Sequence, residues 1–347
     1  MGKAEARLEY LNNTVQAVLQ GAGINPADAE FVADSLIDAE IRGVESHGLM
    51  RLESYIERIN KKLINVHPNI SVVNENGSII QVNGDNGLGQ VITKKALDIC
   101  MERADESAIA FATIKNTNHF GTAGYYSRLA ACKGYIAFAA SNASPTMPPF
   151  GGIDPLLGTN PFAVSFPAGK YNNFTLDIAM SAVAKGKIRL YEKEGKEIPL
   201  GWAMDSLGND TANPTEAING GLLPMGGYKG YGLAMIVDLL CGLISGAKLS
   251  FETESMFASD SISGIGHFLG VIKIDKLMPI DIFEQKVENW FETLKGSKTR
   301  PGVTEIFIPG EIENQKKKNV GESILVLDKT LDAISNLYNK ISLNEAN

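Results

Sequence analysis

Ser78-Ile79-Ile80-Gln81-Val82-Asn83-Gly84-Asp85-Asn86-Gly87-Leu88-Gly89 decides between two kinds of α/β protein. Its first five residues form a short β-rich run, and Gly84–Gly89 opens a helix that reaches about Ala104. A glycine-rich turn between strand and helix is where a Rossmann fold holds its phosphates. Here the glycines are spaced GxxGxG rather than GxGxxG, so that fingerprint is missing. A second glycine-rich stretch, Gly226-Gly227-Tyr228-Lys229-Gly230-Tyr231-Gly232, also opens a helix and carries a lysine. Neither is a Walker A loop, because no Gly-Lys-Ser/Thr occurs. Both can offer backbone amides to an anion, and both are equally explained as tight turns.

Outward from that stretch the pattern is helical on one side and mixed on the other. Leu8, Leu11, Val15, Val18 and Leu19 recur at helical spacing, with Gly21 and Gly23 as stop signals. Asn25-Pro26 is an N-cap and first-turn proline for a second helix, running towards Gly43. A third is expected from near Ser46 to about Leu63. Strands are expected at Ile70–Val73, Ser78–Val82, Ala108–Lys115, Tyr135–Ala139, Phe162–Phe166, Thr175–Ile178, Val271–Ile274 and Thr304–Ile308. Helices are expected near Thr122–Lys133, Val183–Glu194 and Ile324–Ile341. The apolar run Gly232–Ile244 is interrupted by Asp238 and Gly242 and is too short to span a bilayer, so it reads as a buried helix. The fold class is therefore α/β, a helical N-terminal region plus a mixed-sheet domain. The chain divides into residues 1–70, joined by 310–347, and residues 71–309.

A chain of 347 residues exceeds one hydrophobic core, which favours two domains. Its net charge of −8 gives no reason to bind nucleic acid or an anionic membrane. Cys100, Cys132 and Cys241 are widely spaced, which argues against a disulfide framework or zinc ribbon and for a reducing, cytoplasmic setting. Met1–Tyr10 lacks the apolar core of a signal peptide. No HExxH, GxSxG or EF-hand loop occurs, and no metal is expected.

Four histidines bound the possible acid–base chemistry. His67 precedes a proline in a loop, and His267 sits in the glycine-rich turn Gly264–Gly270; both read as solvated or packing residues. His47 stands in Glu45-Ser46-His47-Gly48-Leu49-Met50-Arg51 with Tyr55 beyond it. On a helix, His47, Arg51 and Tyr55 would share one face and offer a proton carrier, a permanent cation and a phenol. Ser46 and the first backbone amides would favour an anion. That set suits a 2-oxo acid, with Arg51 on the carboxylate and a histidine giving a proton as hydride reaches carbon. A charged outer helix face explains the spacing too. His119, in Asn116-Thr117-Asn118-His119-Phe120-Gly121, lies between a strand and a helix, where α/β folds place function; a capped, satisfied histidine is the alternative.

Taken in order, these stretches resemble the malate/L-lactate dehydrogenase family, a group unrelated to the Rossmann-fold enzymes and including ureidoglycolate, sulfolactate and 2,3-diketogulonate-reducing members. The matches are Ser46-His47-Gly48 with Arg51 and Tyr55, Asn118-His119-Phe120-Gly121, Gly158-Thr159-Asn160-Pro161, Leu176-Asp177-Ile178-Ala179 with Gly186-Lys187, Lys229-Gly230-Tyr231-Gly232 and Pro309-Gly310-Glu311. The resemblance implies a non-Rossmann nicotinamide-binding domain and a homodimer acting on a small anionic substrate. It implies His47 as proton donor in reduction and Arg51 near the substrate carboxylate, with Ser46, Tyr55 and Thr159 in the substrate site. In ureidoglycolate-type members the histidine matching His119 has the acid–base role. Nicotinamide contacts would fall on Asp177, Ile178, Ala179, Tyr228, Lys229, Pro309, Gly310 and Glu311, with NAD expected and NADP possible. Tyr228 stands where many relatives have histidine, and Thr117 where many have serine. The implied reaction interconverts a 2-hydroxy acid and its 2-oxo acid, malate or lactate type first and ureidoglycolate type second. The competing readings are a non-redox lyase or racemase using His47 and Arg51, and an acid-binding protein without catalysis.

Overall fold

The computed structural model describes residues 2–258 and 260–345. In chain order its elements are β1 (Lys3–Arg7), α1 (Leu8–Gly21), α2 (Pro26–Ile41), α3 (Leu52–Asn60), β2 (Ser71–Asn76), β3 (Ile79–Asn83), α4 (Gly89–Ser107), β4 (Ile109–Thr117), α5 (Ala123–Ala131), β5 (Tyr135–Ser141), β6 (Phe162–Pro167) and β7 (Asn173–Ile178). They continue as α6 (Lys185–Lys193), β8 (Ala203–Met204), α7 (Pro214–Asn219), β9 (Gly221–Leu222), α8 (Tyr228–Asp238), β10 (Ile265–Lys273), α9 (Ile280–Lys295), α10 (Glu311–Lys318), β11 (Ser323–Leu327) and α11 (Asp328–Glu345).

Seven strands form one mixed sheet in the order β2-β3-β4-β10-β5-β6-β7. Only the β3–β4 pair among neighbours is parallel, with α4 as its crossover. β10 inserts between β4 and β5, antiparallel to both. The small inward residues Ala110, Ala112, Ala137 and Ala139 let α4 and α5 pack closely on one face through Ile92, Ala96, Leu97, Cys100, Tyr126 and Ala130. Met180, Ala234, Val237 and Cys241 belong to a separate cluster that also includes Ala140 of β5. A third cluster joins Leu11, Val15, Val18 and Leu19 of α1 to Val32 and Leu36 of α2, Leu52 and Ile56 of α3, Val326 and Ile334.

The second helix starts as its cap dictates: Asn25 accepts the Asp28 N–H at 3.0 Å, a cap worth about 1 kcal/mol. The expected third helix is broken. Glu45–His47 and Leu49–Arg51 form two 3-10 turns around Gly48, and α3 begins only at Leu52. His47, Arg51 and Tyr55 are therefore not three steps along one regular helix. The cause is steric: a Cβ on Gly48 would collide with Glu40 Oε2 and stand 3.3 Å from Leu36 O, so the chain presses on α2 and cannot wind regularly there.

Four further expectations are corrected. His267 lies in β10, fully buried, and not in a turn, because flanking glycines there serve close strand packing; a Cβ on Gly270 would meet Phe111 at 2.8 Å. Thr304–Ile308 forms no strand, since only Ile308 finds a buried place and no ladder partner adjoins it. The C-terminal segment is β11 followed by α11, not one helix from Ile324. β11 pairs with β1, whose Lys-Ala-Glu-Ala-Arg composition gives no strand signal of its own. Finally, the apolar helix at 232–244 is buried on one side only. Ala234, Val237 and Cys241 face the core, while Leu233, Ile236, Leu239, Leu243 and Ile244 are exposed on this chain, Leu243 at 61%. No helix among the described residues is long and apolar enough to cross a membrane.

Candidate active site

The broken turn at Gly48 faces the loop after β4, and together they bring two histidines into contact. The His47 and His119 rings stack with centroids 5.3 Å apart at 29°. Tyr55, 1% exposed, places its hydroxyl 2.7 Å from His119 Nδ1. Burial pushes the Tyr55 phenol well up, so it stays protonated and donates to that nitrogen. The Gly121 N–H points to the same Nδ1 at 3.4 Å. Nδ1 is thus the acceptor, and His119 carries its proton on Nε2. Ser46 Oγ lies 2.9 Å from His47 Nδ1.

Arg51 donates through Nε to Ser46 O at 2.6 Å, which fixes its stem, and its guanidinium lies 5.2 Å from the Phe257 ring centre. No salt bridge to Arg51 is present among the described residues. Its other charged neighbour is a second cation, Arg189 on α6. Burial and the nearby Arg51 charge lower the His47 pKa to about 4. Burial, then His47, Arg51 and His267, hold His119 well below the ordinary histidine range. Both rings are neutral at neutral pH in this state.

Support for the pair comes from His267, read from the sequence as a solvated or packing residue, and from residues the sequence did not single out. His267 stacks on Phe120 at 4.3 Å, and its ring nitrogens meet Ser141 Oγ at 3.0 Å and Thr117 Oγ1 and Asn118 O at 3.2 Å. It braces the loop that carries His119, which is a packing role. Gln90, fully buried, lies within reach of the Tyr55 hydroxyl. Glu40 accepts the Leu49 N–H at 3.1 Å from behind the turn. Arg189 and Gln90 sit on elements whose spacing reads as ordinary helix, so nothing in the sequence marks them.

Asp177 ends β7, the edge strand. Its Oδ2 accepts the Gly124 N–H of α5 at 2.9 Å. A Cβ on Gly124 would stand 2.7 Å from Asp177 Oδ2 and 2.8 Å from Arg128 Nη1, so that approach requires glycine. Water reaches the carboxylate from one side, while the surrounding protein raises its pKa; the Gly124 N–H and Arg128 oppose that rise. Asp177, Ile178 and Ala179 lead into Met180, whose N–H bonds Thr159 O at 2.7 Å and whose carbonyl accepts the Met225 N–H at 2.8 Å. This sets Thr159 and the turn before Tyr228 and Lys229 beside the end of β7. On the other side of the strand, Thr175 N–H donates to Pro309 O at 3.1 Å, and Gly310 packs on Thr175. Tyr228 is 64% exposed and edge-on to Phe150. Glu311 is turned inward, its carboxylate engaged by Lys295 at 2.7 and 2.8 Å and by Ile308 N–H at 2.9 Å. Two concavities lie apart from the histidines, one lined by Asn83, Asp85 and Asn116 and one between α2 and α4. Among the described residues no cluster of His, Cys, Asp and Glu is placed to hold a metal ion.

A mixed α/β sheet with a stacked, half-buried histidine pair, an arginine without a carboxylate partner among the described residues and no Rossmann loop defines a non-Rossmann α/β scaffold. The chain belongs to the malate/L-lactate dehydrogenase family, whose profile matches residues 6–335. It is 40% identical over 311 residues to a malate dehydrogenase of Pyrococcus horikoshii, covering 87% of this chain and 86% of that one. The solved structure of a sulfolactate dehydrogenase from Methanocaldococcus jannaschii superposes with a TM-score of 0.93 at 34% identity, covering 98% of each chain. A relative named for its cofactor, the ureidoglycolate dehydrogenase (NAD(+)) of Escherichia coli (strain K12), is 30% identical and covers 92% of both chains. Another relative, a (2R)-3-sulfolactate dehydrogenase of Chromohalobacter salexigens that is 32% identical and covers 92% of this chain and 93% of that one, is named for NADP(+).

Proposed function

We propose that this protein transfers hydride between NAD(P)H and a small 2-oxo acid, malate or lactate type first and ureidoglycolate type second. The observation that carries the reading is the His47–His119 stack beside Arg51. Arg51 binds the substrate carboxylate as a bidentate partner. His47 gives a proton to the carbonyl oxygen in reduction and takes it back in oxidation, and Tyr55 fixes the His119 ring so that its Nε2–H holds the same oxygen. Bound carboxylate offsets the Arg51 charge and so favours protonated His47. Arg189 near Arg51 favours substrates with a second anionic group. Neutral imidazoles would serve a lyase or racemase equally well; membership of a family whose named members are dehydrogenases supports the dehydrogenase over those and over a binding protein.

The residues around β7 fit a dinucleotide. Asp177 keeps Oδ1 open for a hydroxyl or amide, and Lys229 in the first turn of α8 suits an anion. Pro309, Gly310 and the backbone of Glu311 complete that wall. When bound, the nicotinamide supplies the hydride. The exposed α8 stripe supports a homodimer in which a second copy covers it. Three free cysteines suit a reducing, cytoplasmic setting. In this reading residues 1–70 with 310–347 form the substrate and dimer region, and 71–309 the cofactor region.

The test is a panel of 2-oxo acids assayed with NADH and NADPH. Consumption of reduced cofactor that depends on the oxo acid supports the reading; none with any acid removes it. A second expected result concerns Asp177. Asp177→Ala should weaken NADH binding by about tenfold or more, as loss of a charge-assisted hydrogen bond does, with less effect on oxo-acid KM. Unchanged NADH affinity by fluorescence titration in a folded variant would take Asp177 out of the site.

A further inference from the structure

Glu40 takes no part in the chemistry above, yet it is an acid buried directly behind it. It sits at the end of α2, 8% exposed, and its Oε2 accepts the Leu49 N–H at 3.1 Å. Gly48, between His47 and Leu49, is pressed on the same oxygen, and a Cβ there would also stand 3.2 Å from Glu40 N. The φ of Gly48 is −91°, outside the left-handed region, so glycine is needed for space. One carboxylate therefore clips the turn that carries His47 and Arg51 to a rigid helix. The charged groups that reach it are Glu45 in the same turn and Lys3 on β1, which pair with each other at 2.5 Å. Asp38 on α2 and Arg42 just past its end, two residues to either side, pair with each other, and Asp38 also takes Arg128 and Lys317.

We propose that Glu40 is a positioning residue for the histidine turn, holding His47 against His119 through the Leu49 amide. This rests on the dehydrogenase reading for its kinetic consequence, but not for its structural one. Burial raises the Glu40 carboxyl to about 7, so neutral pH populates both its forms. The ionised form is the stronger acceptor and clips the turn more tightly. In the free protein His47 sits at about 4 and gives kcat/KM for oxidation no limb above that pH, so a limb near 7 in kcat/KM belongs to Glu40.

The test compares Glu40→Gln, which keeps an acceptor of the same shape at every pH, with Glu40→Ala, which removes it. For 2-hydroxy acid oxidation, kcat/KM of the parent should rise through about pH 7, and Glu40→Gln should lack that limb. Glu40→Ala should lose about tenfold in kcat with cofactor KM little changed. A limb near 7 that persists in Glu40→Gln, or parental kcat in Glu40→Ala, overturns the proposal. A second readout needs no activity. In protein labelled with 15N-leucine, the Leu49 amide resonance should shift with a midpoint near 7 in the parent and not in Glu40→Gln. A Leu49 amide that does not titrate in the parent also overturns it. If the parent oxidises no hydroxy acid while Leu49 titrates, the functional reading fails and the role of Glu40 in the turn stands.

Discussion

His47→Ala is expected to lower kcat for oxo-acid reduction by about 10²–10⁴, or roughly 3–5 kcal/mol of barrier, with the fold intact. The pH dependence identifies the group. Burial and Arg51 hold His47 at about 4 in the free protein, so only a falling fraction is protonated above that pH. In reduction the protonated ring is required, and kcat/KM should fall by about tenfold per pH unit through the neutral range. In oxidation the neutral ring is required, and kcat/KM should carry no His47 limb above about 4. The reduction slope should vanish in His47→Ala. His119→Ala should lower activity but keep the slope, because His119 Nδ1 is already taken by Tyr55 and burial holds its pKa well below the ordinary histidine range. The opposite pattern, a slope lost with His119 and kept without His47, would exchange their roles.

Arg51→Ala is expected to raise KM for the oxo acid by at least about tenfold while NADH affinity changes little. An arginine–carboxylate pair contributes roughly 1.5–3 kcal/mol, and a carboxylate left buried without its partner costs more. The net charge of −8 repels small anions at long range, so a local cation has to capture them. Arg51 is suited to this because its Nε is spent on Ser46 O, which orients the guanidinium without neutralising it. Arg51→Lys should recover only part of the loss, since lysine keeps the charge but not the planar fork. Arg189 predicts a further split: the Arg51→Ala penalty should be larger for a monocarboxylate than for a dianionic oxo acid, which keeps a second cation to bind. Unchanged KM and kcat in both Arg51 variants would make it a surface charge.

The sequence carried the architecture wherever a local signal matched a tertiary need. The Asn25-Pro26 cap, the alternation of β4 and β5 and the GxxGxG departure were all legible, and they led to a mixed sheet without a Rossmann loop. It failed where a distant partner decided. The helix expected across Ser46–Leu63 is broken because Gly48 lies against α2, a contact eight residues back in sequence. β1 exists only because β11 returns from the other end of the chain. His47 and His119 were each visible as candidates, but their stacking is a long-range fact, and so is the Tyr55 bond that fixes one of them. Glu40 and Gln90 were invisible for a different reason. A buried acid or amide inside an apolar helix stretch looks like an exposed one until its surroundings are known.

The most direct measurement uses NADH carrying deuterium at both C4 positions, with the 2-oxo acid that supports the fastest turnover and mass spectrometry of the product. One hydride leaves the cofactor and adds to C2, while the proton from His47 adds to oxygen and exchanges with water. The 2-hydroxy acid should therefore carry one deuterium, bonded to C2, from every turnover. A 2-hydroxy acid product without deuterium at C2, or consumption of the oxo acid that leaves the cofactor reduced, would contradict hydride transfer at the His47–Arg51 site.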